Sequence, residues 1–105
     1  QTYEYTFVST DPENNDIFYY IDWGDGQFMD WEGPYGSGVA ITRSHSWSGI
    51  GTYIIKAKAK TIGGEESDWG TLTVTMPKSK IVTNSLLLEL FEKFPLLQKL
   101  LFLLK

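Results

Sequence analysis

The chain contains no cysteine and a single histidine, His45. Without cysteine there is no disulfide, no thiolate metal site and no cysteine nucleophile. One histidine does not build a histidine metal site. Nor does it make a catalytic triad, which needs three convergent groups: Ser44 and Ser46 flank His45, but neighbouring strand residues face opposite sides. Basic charge is scarce as well. Nine Lys and Arg against thirteen Asp and Glu leave a formal net charge of −4, which excludes the basic surface that nucleic-acid binding requires. No signal-peptide pattern is visible, since Gln1 runs directly into strand-like sequence. The expectation is a removed leader or a fragment of a longer protein.

What is present is aromatic. Phe, Trp and Tyr make up 15% of the 105 residues, a composition that suits strands in one small domain. The sequence divides near Pro77. Residues 1–77 are rich in Tyr, Trp, Thr and Gly, and their acids far outnumber Arg43, Lys56, Lys58 and Lys60. Residues 78–83 read as a polar linker. Residues 84–105 are dominated by Leu and Phe, and over residues 78–105 Lys78, Lys80, Lys93, Lys99 and Lys105 outnumber Glu89 and Glu92. An acidic body and a basic tail attract each other, within or between chains.

The body reads as strands of period two. Tyr3, Tyr5 and Phe7 alternate with polar residues. Ile17, Tyr19, Ile21 and Trp23 share one face of a second strand, ahead of the tight turn Gly24-Asp25-Gly26. Gln27–Trp31 reads as a short edge strand and Glu32–Gly38 as a loop. Val39, Ile41, Arg43, His45 and Trp47 share a face. Tyr53, Ile55, Ala57 and Ala59 point one way while Lys56, Lys58 and Lys60 point the other, the pattern of a sheet with one wet face. Leu72, Val74 and Met76 alternate with threonines in the last strand. Short strands with regularly spaced turns predict a sandwich or barrel.

The tail changes period. Asn84 or Ser85 caps a predicted helix of about 85–94, and Pro95 breaks it and starts a second one of about 95–104. Leu87, Leu90, Phe91, Phe94, Leu97, Leu100, Leu101 and Leu104 form one broad apolar stripe, predicted to hold copies of the chain together in a homo-oligomer or filament. Docking on its own sandwich and lying in a membrane surface are the alternatives. A spanning helix is disfavoured by Pro95 and by the charges of Glu89, Glu92, Lys93 and Lys99.

Several side chains invite a chemical reading. Asp22, Asp25 and Asp30 are candidate carboxylates for catalysis, but aspartate at such turns ordinarily bonds nearby backbone N–H groups, and no catalytic residue is assigned. His45 is expected to bond the Asp22–Gly26 corner. Asp11 and Asp16, with Asp68 if the loops converge, are candidate calcium ligands, because calcium takes oxygen donors; no other cofactor is expected. Trp31, Tyr35 and Trp69 are candidate contacts for a glycan or a surface-protein ligand. Trp23 and Trp47 read as core.

Ile21-Asp22-Trp23-Gly24-Asp25-Gly26 resembles the W-D-F-G-D-G core of PKD (polycystic kidney disease) domains. His45-Ser46-Trp47 and Gly51-Thr52-Tyr53 then resemble the family's H-x-Y/W pair and G-x-Y strand, in order. Glu66–Gly70, Val74–Lys78 and the Leu/Phe-rich tail are similar to an archaeal and bacterial surface-protein subgroup. The resemblance covers about residues 3–77. It implies an all-β, immunoglobulin-like sandwich, here lacking an obvious first strand and followed by a helical tail. It also implies calcium binding near the Asp11–Asp16 loop in some members, and a non-enzymatic extracellular or cell-surface role in adhesion, spacing or ligand binding. The missing strand predicts an open sheet edge beside Tyr3–Ser9 that a neighbouring chain or segment covers.

Overall fold

The computed structural model describes residues 1–77, 84–89 and 102–104. Eight strands run β1 (Tyr3–Thr10), β2 (Ile17–Asp22), β3 (Phe28–Tyr35), β4 (Ile41–His45), β5 (Gly51–Thr61), β6 (Gly70–Met76), β7 (Asn84–Glu89) and β8 (Phe102–Leu104). They form two four-stranded sheets, in the orders β4-β1-β7-β8 and β3-β2-β5-β6.

The alternating residues of the body meet between the sheets. Tyr3, Tyr5, Phe7, Ile41 and Trp47 come from the first sheet and its β4–β5 connection. They pack on Ile17, Tyr19, Ile21, Trp23, Ile55, Ala57, Ala59, Val74 and Met76 of the second. Burial of these side chains, rather than strand propensity, supplies most of the driving force. Tyr19 adds a polar tie across the sandwich. Its hydroxyl accepts from the Ser9 N–H at 3.0 Å and donates to the Val39 carbonyl at 3.3 Å.

Burial pushes the Tyr19 phenol up to about 12, against the Ser9 hydrogen bond and with a further push from Tyr35. Burial, with Tyr3 beside it, does the same to Tyr5, also to about 12. A phenol whose folded pKa is raised stabilises the fold fully below its ordinary value near 10 and loses that contribution as pH climbs toward 12. Cooperative alkaline unfolding between about pH 10 and 12 is therefore expected. Circular dichroism and phenolate absorbance should change together, and Tyr19→Phe should shift the midpoint. Phenolate appearing at about pH 10 with the fold intact would contradict this assignment of the buried tyrosines.

Three expectations are corrected. β3 extends through Glu32–Tyr35, where a loop was expected, because two irregularities in its pairing with β2 absorb extra residues. Asn84–Glu89 is a strand, not the opening of a helix, and Phe102–Leu104 is a strand as well. Residues 90–101 and 105, with Leu90, Phe91, Phe94, Leu97, Leu100 and Leu101, lie outside the described residues. Finally, the edge of β1 is not left for another chain. β7 pairs with it in parallel, from Tyr5 opposite Asn84 to Thr10 opposite Glu89, while β4 pairs on the other side. The physical reason is the same for both tail findings. A short leucine-rich segment is a marginal helix by itself, and an adjacent row of unpaired backbone groups rewards extended pairing more than propensity rewards a helix. Among the described residues no helix is long and apolar enough to cross a membrane.

Candidate functional site

The solvent face of the β3-β2-β5-β6 sheet carries the largest concentration of unspent chemistry. β2 alternates strictly, so Phe18, Tyr20 and Asp22 point away from the core that Ile17, Tyr19 and Ile21 fill. Tyr20 lies opposite Lys58 of β5, Phe18 opposite Lys60 and Asp22 opposite Lys56. Three aromatic rings surround Tyr20: Phe28 stacked at 5.7 Å, Trp31 at 5.6 Å and Trp69 at 6.0 Å.

The β3 irregularities explain how this cluster forms. Phe28 and Trp31 are three residues apart and would face opposite sides of a regular strand. Between the pairs Ile21–Met29 and Tyr19–Glu32, however, β3 spends one residue more than β2, as a bulge does. Both rings thereby reach the outer face. The second irregularity, between Tyr19–Glu32 and Ile17–Tyr35, keeps Tyr35 on the inner side. At Gly33 a Cβ would come within 2.7 Å of the Ile17 carbonyl and 2.8 Å of the Phe18 ring, so the ring of Phe18 takes the space a side chain would need.

The lysines lie across the rings. Lys58 Nζ is 4.6 Å and Lys56 Nζ 5.4 Å from the Trp69 ring centre, and Lys60 Nζ is 4.4 Å from that of Trp31. These are cation–π distances. Lys58 also pairs with Glu66 at 3.0 Å. Phe28 remains 59% and Trp69 42% exposed, so the lysines do not cover the patch. Beside it lies a hollow of about 480 Å³, lined among others by Asp22, Gly24, Thr52, Ile54 and Lys56.

Of the three expected ligand contacts, the structure brings Trp31 and Trp69 together through Tyr20 but places Tyr35 elsewhere. Tyr35 packs at 6.1 Å from Tyr19, bonds Glu32 at 2.9 Å and accepts from Arg43 at 2.8 Å. Arg43 pairs with Glu32 at 2.7 Å, which ties β4 to β3 across the open side of the sandwich. The Arg43 hydrogen bond, then that of Tyr35, holds the Glu32 carboxyl below its ordinary value. Sequence reasoning missed Tyr20, Phe28 and the three lysines as site residues. The available signal was that the wet face of Ile17–Trp23 carries Phe18 and Tyr20, and that the lysines of the Thr52–Lys60 strand share one side.

The remaining candidates sit in local hydrogen-bond networks. Asp22 accepts from the Gly24 N–H at 2.9 Å, and Asp25 from the Gln27 N–H at 3.0 Å. Asp30 bonds the Trp31 N–H at 2.8 Å. The second Asp25 oxygen meets His45 Nε2 at 2.8 Å, and His45 stacks on Trp23 at 4.5 Å. Burial resists ionisation of Asp25, but the His45 and Gln27 bonds outweigh it and hold the carboxyl below its ordinary value. Asp11 is buried, and its two oxygens accept from the Glu13 and Asn15 N–H groups at 3.2 and 2.7 Å. No group of three or more metal-ligating side chains forms among the described residues.

No protein-family profile matches the sequence, and no curated protein matches it significantly. A solved structure does: the PKD domain of an M14-like peptidase from a Thermoplasmatales archaeon. It is 58% identical, covers 74% of this chain and 80% of its own, and superposes with a TM-score of 0.72.

Proposed function

The chain belongs to the PKD-domain family, and from that premise we propose that it is a non-catalytic accessory module of a larger extracellular or cell-surface protein. Its work is to present the outer face of the β3-β2-β5-β6 sheet to a glycan or protein ligand. The observation that carries this reading is Tyr20 ringed by Phe28, Trp31 and Trp69 on a solvent-facing sheet. Contiguous exposed apolar surface of this kind marks interaction sites, and aromatic rings anchor both sugars and protein partners. A non-catalytic role is supported by the turn bonds of Asp22 and Asp25, which engage both carboxylates with nearby backbone N–H groups.

Self-assembly through the tail has less behind it. The described parts of the tail, β7 with Leu87 and β8 with Leu104, belong to the chain's own first sheet.

The test is retention on a panel of supports: cellulose, chitin, cross-linked polygalacturonate and immobilised casein. At least one support should retain the protein. Trp31→Ala combined with Trp69→Ala should weaken that retention about tenfold or more while circular dichroism stays unchanged. No retention anywhere, or retention indifferent to both tryptophans, overturns the proposal. A size on light scattering that falls to a monomer when residues 84–105 are removed would instead favour assembly.

A further inference from the structure

We infer that β6 is a strand-addition edge whose occupant is a second copy of this chain, its β6 paired antiparallel about a two-fold axis at Thr73. This goes beyond the binding role of the outer face and does not depend on it.

A sheet edge presents unpaired backbone N–H and C=O groups, and natural edges are blunted by charge, proline, irregular pairing or shortness. Three of the four edges of the described sheets follow that rule. β3 carries Asp30, Glu32 and Pro34, and its pairing has two irregularities. β4 carries Arg43, whose guanidinium reaches across to Glu32 of β3. β8 is three residues long. β6 is the exception. Gly70-Thr71-Leu72-Thr73-Val74-Thr75-Met76 holds no ionisable side chain and no proline, and it pairs with β5 in unbroken register. Among the described residues β6 has a ladder partner on that one side.

The strand also matches itself. Thr71-Leu72-Thr73-Val74-Thr75 has the same pattern in both directions. An antiparallel copy centred on Thr73 therefore sets Thr73 against the partner's Thr73, Thr71 against the partner's Thr75 and Leu72 against the partner's Val74. Residues directly opposite in such a pair share a face. Exposed threonines thus meet threonines, and the half-buried Leu72 gains an apolar neighbour. Threonine already pairs this way within the chain, where Thr75 lies opposite Thr52 with the hydroxyls 3.4 Å apart. Charge selects the same contact. Acids far outnumber bases in residues 1–77, so two copies repel over most of their surfaces. At β6 the nearest ammonium, Lys56 opposite Thr71, heads a row that continues through the partner's Thr75 and Thr52, so no like charges meet. A two-fold axis normal to the sheet keeps both outer faces on one side. The two Tyr20 clusters then stand about 24 Å apart, five strand spacings, and a ligand long enough to reach both gains avidity. A contact one strand long buries no more than about 1,000 Å² in total, the low end for specific interfaces, so a dissociation constant on the order of 10–100 µM is expected.

The experiment is sedimentation velocity of the full chain from about 10 µM to about 1 mM, a span that brackets that constant. The mean mass should rise from monomer to dimer. Thr73 is exposed, so Thr73→Lys and Thr73→Glu should keep the circular dichroism spectrum. Each should weaken the dimer about tenfold or more by setting like charges opposite each other. Mixing the two variants should restore it, because opposite charges then face across the axis. A monomer at every concentration overturns the inference. So does a dimer indifferent to both variants, which places the contact elsewhere, and so does a mixture of the two that stays monomeric. A monomer whose β6 amides gain hydrogen-exchange protection from added casein overturns it in favour of an extended peptide partner. None of these results bears on the outer face, whose role is read from retention through Trp31 and Trp69.

Discussion

Trp23→Ala is expected to remove about 3–5 kcal/mol of stability, enough to leave a domain of this size largely unfolded at ambient temperature. Trp23 is buried and touches aromatic rings on several sides. Tyr5 lies at 5.9 Å, Phe7 at 6.2 Å and Trp47 at 6.0 Å, with His45 stacked face to face at 4.5 Å. Its carbonyl also accepts the Trp47 indole N–H at 3.1 Å. These neighbours come from the first sheet and its β4–β5 connection, while Trp23 follows β2 of the second, so truncation leaves a cavity between the two sheets. The stacked His45 would lose its platform too, and with it the geometry that aims Nε2 at Asp25. Urea unfolding followed by circular dichroism measures the loss. Trp23→Phe, which retains a ring, should cost clearly less. A loss below about 1 kcal/mol for the alanine variant would mean that the rings repack, and that the Trp23 cluster is not the centre of the core.

Trp23 also shows what the sequence makes legible. Its place on the face of Ile17, Tyr19 and Ile21 follows from period two alone, and burial confirms it. The hydrogen bond from His45 to Asp25 follows from the need of a half-buried imidazole for a partner near the Gly24–Gly26 turn. Period counting fails where the chain departs from strict alternation. Two irregularities in β3 re-aim Phe28, Trp31 and Tyr35, and an inserted residue leaves no composition signal that distinguishes it from a loop. Tyr35 therefore lies apart from the Tyr20 cluster and joins the Glu32–Arg43 tie. The tail fails for another reason. Leu86–Leu88 suits helix and strand alike, and the deciding term is the free edge of β1, a long-range partner invisible to local pattern.

That edge changes the meaning of the missing first strand. An uncovered β1 would have offered a template for a second chain. With β7 alongside it, the first sheet has internal backbone partners on both sides of β1, and the argument for function moves to the opposite sheet. There the strand order places Tyr20 centrally, and β3 and β5 deliver rings and ammoniums to it from either side. The family motif around Trp23–Gly26 builds the corner and the core. The candidate binding chemistry comes from Tyr20, Trp31, Trp69 and the lysines outside that motif.

The corner still governs whether that face keeps its shape, and Gly24→Ala is the sharpest test of it. Gly24 has φ of +86°, in the region that side chains rarely adopt, and a Cβ there would stand 2.4 Å from the Ile54 carbonyl oxygen and 3.0 Å from its nitrogen. Backbone atoms cannot swing aside as a lysine tip can. The turn after β2 would have to lift off β5 at the place where Gly24, Asp22, Ile54 and Lys56 line the hollow. Gly26 provides the control. Its φ is +91°, yet nothing lies within 4 Å of its would-be Cβ, so Gly26→Ala pays only the conformational cost of about 1–2 kcal/mol. Gly24→Ala adds the steric term, and a total loss of about 3 kcal/mol or more is expected. The two variants should separate clearly in urea midpoint. In Gly24→Ala the amides of Ile54 and Lys56 should also lose hydrogen-exchange protection. Equal destabilisation of the two would show that backbone conformation alone requires these glycines, and that the close approach of the turn to Ile54 contributes nothing.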